Sequence, residues 1–154
     1  MSKTYKPNGF SLIELLIVVA IILIISAIAI PNLMRSRMAA NEASAVGSLR
    51  TINSAEISYQ TTYPSVGFTG LSALGGAGGT STGAGLLDSV LAAGTKSGYS
   101  FAVTTSGSSP ITGYSVTGQP STPGITGQRY FFTDHSGVIR QNPSAAATVS
   151  STPL

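Results

Sequence analysis

His135 is the sole histidine in the sequence. With Asp134 before it and Ser136 after it, this short stretch holds the residue types of an acid, a base and a nucleophile. Catalytic triads assemble in space, so adjacency along the chain is not evidence for one. Asp134-His135-Ser136-Gly137 has the composition of a turn instead, which makes His135 a solvent-facing turn residue and Asp134 a turn former. Gly78 and Gly83 have the glycine spacing of a phosphate-binding loop, but Ala84 stands where the lysine should be. Calcium requires several carboxylates or carbonyls together, and beyond Glu56 the only acids are Asp88 and Asp134. Cysteine is absent, so there is neither a disulfide nor a thiolate metal site. These residues predict no enzyme, no cofactor and no metal.

Glu14 is different, because it interrupts an apolar run that begins at Phe10. A carboxylate at the bilayer centre costs on the order of 2.5 to 3.5 kcal/mol, and such residues have a partner or a function. No Lys or Arg lies within one helical turn of it. A cut between Gly9 and Phe10 would create an amino group four residues before Glu14, and the cut itself would supply the missing charge.

The element that must position Glu14 is a long helix. Residues 15–34 carry no charge and are rich in Leu, Ile, Val and Ala, a length that spans roughly 30 Å of hydrocarbon. The competing reading is a cleaved secretory signal, with Lys3 and Lys6 as its basic region and Ala27-Ile28-Ala29 as its cleavage site. Such a signal has an apolar stretch of about 7 to 15 residues without an acid, so length and Glu14 favour a membrane span. Pro31 removes a backbone hydrogen bond and clashes with the preceding turn, which predicts a local break or kink. Beyond it, Met38, Ala45, Leu49, Ile52, Glu56, Tyr59 and Tyr63 recur at three- and four-residue spacing. One helix over 10–63 follows, apolar all round in its first half and amphipathic in its second, with Glu42 and Arg50 on the wetter faces and Tyr63-Pro64 as its stop.

The order Gly9-Phe10-Ser11-Leu12-Ile13-Glu14, after a leader with Lys3 and Lys6 and before a long apolar helix, resembles the prepilin processing motif of type IV pilins and type II secretion pseudopilins. The resemblance implies a leader over 1–9, cleavage after Gly9 by a prepilin peptidase, methylation of Phe10, and a Glu14 carboxylate that pairs with the Phe10 amine of a neighbouring subunit. Pro31 matches a proline common in the pilin helix. Implied partners are further copies of the chain, the peptidase, the inner-membrane assembly machinery and, before assembly, the lipid bilayer. Lys3 and Lys6 on one side of the span are balanced by Arg35 and Arg37 on the other, so charge does not set orientation. The family implies a single pass with the head outside the cytoplasm, then an extracellular pilus or a periplasmic pseudopilus. Calcium in the head is common among major pseudopilins, and the scarcity of acids leans toward a pilin. Many pilins close the C-terminal region with a disulfide; here strand pairing or filament contacts must serve.

Composition agrees with a structural role. Charged residues are 8% of the chain, against about 25% in soluble domains. The isoelectric point near 9.5 does not signal nucleic-acid binding, because the basic residues form no stripe. Without Lys3 and Lys6, six basic residues face five acidic ones.

The rest reads as a small head over 64–142 and a mobile tail over 143–154. Residues 65–85, dominated by Gly, Ser, Thr and Ala, read as loop, and 86–93 as a short helix. Strand-like runs at 99–105, 113–117, 129–133 and 138–141 are separated by Gly and Pro. They predict an α+β fold, a long N-terminal helix packed on an antiparallel sheet of about four strands, as in pilins. Tyr99, Phe101 and Val103 alternate as core candidates, and 134–137 closes a hairpin.

Overall fold

The computed structural model describes residues 9–154. The described residues divide after Ser36 into two compact units, the second being Arg37–Leu154, and helix α1, Leu12–Thr62, runs through the boundary. In the first unit the helix is apolar on every face. Each large apolar side chain from Leu12 to Met34 is at least 44% exposed, so none of the described residues covers this surface. Its length and composition suffice to cross a membrane. The expected break at Pro31 does not interrupt the helix, which continues on both sides of it. Proline costs the carbonyl four residues earlier its partner, and the turns on either side hold the helix through that gap.

In the second unit α1 is amphipathic. Ala45, Leu49, Ile52 and Tyr59 are fully buried, the three- and four-residue spacing placing them on one stripe. Opposite them lies a six-stranded antiparallel meander in the order β1 to β6. Its strands are β1 Thr95–Lys96, β2 Tyr99–Ser106, β3 Gly113–Pro120, β4 Tyr130–Asp134, β5 Arg140–Asn142 and β6 Thr152–Pro153. Tyr99 and Phe101 of β2, Tyr114 and Val116 of β3 and Phe131 of β4 join the helical stripe in one core, with Val103 half-buried at its margin. Burial of each such large side chain contributes about 1.5–3 kcal/mol. Phe101 pairs with Gly118 across the sheet. A Cβ at Gly118 would come within 3.2 Å of the Phe101 ring, so glycine makes room for the aromatic.

Three features depart from the sequence expectation. The sheet has six strands rather than four, because β1 and β6 are two residues each and too short to show alternation. The stretch expected as loop contains a helical turn, α2 Leu71–Leu74; the expected short helix is α3 Ser89–Ala92, with Asp88 capping the Val90 and Leu91 N–H groups. The segment expected as a mobile tail is anchored at three points, with most of its residues exposed. Ala147 is buried, β6 pairs with β5, and Arg140 Nη1 donates to the Ser151 carbonyl at 3.1 Å. Strand pairing therefore holds the C-terminal region that has no disulfide.

Candidate assembly site and the head behind it

Gly9 has nothing within 4 Å of where a Cβ would stand, and Phe10 is 86% exposed. Neither is covered by any of the described residues. The helix begins at Leu12, which makes Ser11 its N-cap and Glu14 its third residue. Glu14 Oε2 accepts the Ser11 N–H at 2.8 Å. This is the reciprocal half of a capping box, in which the third residue reaches back to the N-cap backbone. Ser-x-x-Glu is a legible helix-start signature, and the sequence reading passes over it. Glu14 thus has a local polar partner on its own helix, and its other oxygen is free of protein partners among the described residues.

The head is fastened to the second half of α1 by polar residues that each reach a different segment. Asn41 Nδ2 donates to the Thr126 carbonyl at 2.8 Å. Glu42, expected on a wet face, is buried. Its Oε1 accepts the N–H groups of Gln128 and Arg129 at 2.9 and 3.2 Å, and its Oε2 accepts Arg129 Nε at 2.7 Å. Burial pushes the Glu42 carboxyl upward, but these donors outweigh it and hold the group below its ordinary value. Arg129 Nη1 continues to Gln141 Oε1 at 2.8 Å, tying the loop before β4 to β5. Asn53, also buried, donates to Thr133 Oγ1 at 2.9 Å and accepts from the Tyr114 hydroxyl at 3.1 Å. Tyr59 donates to the Ser81 carbonyl at 2.6 Å. The helix positions the head through these contacts as well as through its apolar stripe.

The remaining candidates lie in turns, caps and loops of the second unit. His135 is exposed. Asp134 Oδ1 accepts the Ser136 N–H at 2.9 Å, an Asx turn that closes the β4–β5 hairpin with Gly137 at φ +76°. Asp88 caps α3 and pairs with Lys96 at 2.9 Å. Gly79-Thr80-Ser81-Thr82-Gly83 has the G-x-S-x-G spacing of a nucleophile elbow, which corrects the expectation that the sequence holds no such pattern. It lies in a loop rather than at a strand-to-helix turn, and Ser81 contributes its carbonyl to Tyr59. No group of three His, Cys, Asp or Glu able to hold a metal occurs among the described residues.

The family described as the prokaryotic N-terminal methylation motif matches residues 5–30, which include Gly9, Phe10 and Glu14. The chain is 57% identical over 37 residues to the type IV wide pilus major component PilA4 of Thermus thermophilus, a match covering 24% of this chain and 28% of that protein. No solved structure matches the chain. The methylation motif heads a long helix, apolar in its first half, whose second half packs on an antiparallel sheet, and the likeness to a type IV pilus component is confined to about a quarter of either chain.

Proposed function

We propose that this chain is the precursor of a structural subunit of a type IV pilus. It is inserted in the inner membrane through residues 10–34 with the head outside, cleaved after Gly9, methylated at Phe10, and assembled with copies of itself for adhesion, motility or DNA uptake. Its role is assembly rather than catalysis. The observation that carries this reading is the pairing of Glu14 with an uncovered apolar helix. In the bilayer lipid covers that surface, and in a filament the same surfaces of other copies do. Both sheet edges are two-residue strands, one bearing Lys96 and the other Pro153. Lysine and proline blunt an edge against strand addition, which favours polymerisation through the helix.

The test is mass spectrometry of sheared filaments and of membranes from wild type and Glu14→Ala. The reading expects filament material beginning at methylated Phe10 and its loss in the variant. An uncleaved chain confined to the membrane would reject it and favour a membrane-tethered domain. Because pseudopilins share the motif, the second reading is a subunit of a periplasmic export filament. It predicts that deletion abolishes secretion of an exoprotein while surface pili persist.

A further inference from the structure

The unit Arg37–Leu154 contains four acidic residues. Glu42 has Arg129, Asp88 has Lys96, and Asp134 has His135 and Arg140 nearby. Among the described residues Glu56 has no cation. It is fully buried on the helical stripe between Ile52 and Tyr59. Its Oε2 accepts the Thr69 N–H at 3.1 Å, and its Oε1 has no partner among the described residues.

Thr69 belongs to the return segment, residues 64–70, which leads away from the end of α1. Across from Glu56 this segment is held by the β2–β3 connection: Phe68 N–H donates to the Ile111 carbonyl at 3.1 Å, and Ile111 N–H to that of Val66 at 2.8 Å. The Phe68 ring packs 4.7 Å from that of Tyr114. Among titratable groups, β3 contributes Tyr114, whose phenol burial and Glu56 itself push up to about 12. Helix α1 contributes Tyr59, one turn away. Residues 64–70, α2 and the connection 107–112 contain no titratable side chain. A buried carboxylate with no counter-charge is much costlier than a neutral acid with one unpaired hydroxyl.

We propose that Glu56 is a proton-held clamp, which in its neutral form fastens the return segment 64–70 to α1 and, on losing its proton, loosens that segment from the helix. Burial raises its pKa from 4.5 to about 7, against a smaller downward pull from the Thr69 N–H. Opening restores the ordinary value. The opening equilibrium is therefore level below pH 4.5, climbs between 4.5 and about 7, and levels off above, a total rise of about 300-fold.

The test is hydrogen exchange at the Thr69 amide, in the full chain in detergent micelles, from pH 5 to 8 and corrected for intrinsic exchange. Wild-type protection should fall on the order of 50- to 100-fold and stay level in Glu56→Gln, while amides of the Asn53–Thr133 region respond in neither. A level wild-type profile, or an equal fall in Glu56→Gln, overturns the proposal. A measurement without any variant is the carbon-13 titration of the Glu56 carboxyl: a midpoint near 7 supports the clamp and one near 4.5 overturns it.

Discussion

Arg129 Nε lies 2.7 Å from Glu42 Oε2, joining two residues 87 positions apart in sequence. Glu42 takes two further hydrogen bonds from the backbone of the same loop, so one helical carboxylate fixes the path of the chain into β4. In a head without cysteine this contact takes the part of a covalent staple.

Removal of the two partners should therefore have unequal effects. Glu42→Ala leaves two backbone donors and a guanidinium without their acceptor, and hydrogen bonds to charged groups are worth about 1.5–3 kcal/mol each. A loss of about 2–4 kcal/mol is expected. Arg129→Ala leaves the backbone donors in place and removes a side chain that is 40% exposed, so about 1 kcal/mol is expected after solvent screening. Urea unfolding of the two variants checks the order; equal losses would show that the backbone bonds contribute little.

Asn53 bridges Thr133 and Tyr114 in the core. Asn53→Ala leaves a buried phenol and a buried hydroxyl short of partners, at about 1–3 kcal/mol. Asn53→Asp keeps the acceptor for Tyr114 but buries a charge, and should be worse than Ala at pH 7. Thermal unfolding at that pH decides.

Stability of the head should peak in mildly acidic solution. Glu42, held below its ordinary pKa of 4.5, contributes stability that is present above 4.5 and lost as pH falls through its lowered value. Glu56, raised to about 7, contributes stability that is full below 4.5 and lost as pH rises toward 7. The two slopes oppose each other and meet near their shared ordinary value of 4.5. In Glu56→Gln the alkaline slope should disappear and the acid one remain, as followed by urea midpoints from pH 3 to 8.

Deleting residues 143–154 removes β6, the buried Ala147 and the Arg140 contact to Ser151. A loss of about 2–3 kcal/mol is expected from these few contacts together. An unchanged unfolding midpoint would show that the segment is dispensable to the head.

The helix and the place of Glu14 were legible because their signals are local. An acid in an apolar run and a three- and four-residue repeat can be read without knowing what lies opposite. Glu42 was misread because its partner, Arg129, stands in a distant loop, and a charged residue on an amphipathic helix is otherwise solvated. Glu56 fell on the apolar stripe and is buried there, but its lack of a counter-charge depends on which segments return to the helix. β1 and β6 were missed because two residues make no period, and Pro153 argues against a strand unless the strand is an edge. The Ser11–Glu14 capping box was present in the sequence and explains part of how an acid is tolerated at the start of this helix.

The proposed assembly implies that Glu14 of one subunit pairs with the Phe10 amine of another. The most direct measurement is solid-state NMR of filaments assembled from a mixture of two populations, one labelled with nitrogen-15 at phenylalanine and the other with carbon-13 at the glutamate side chain. A dipolar coupling between the terminal ammonium and a glutamate carboxyl is predicted in the mixed filaments, and its loss in Glu14→Gln membranes that form none. A coupling found only when both labels share one chain would contradict the claim and leave Glu14 as a cap of its own helix.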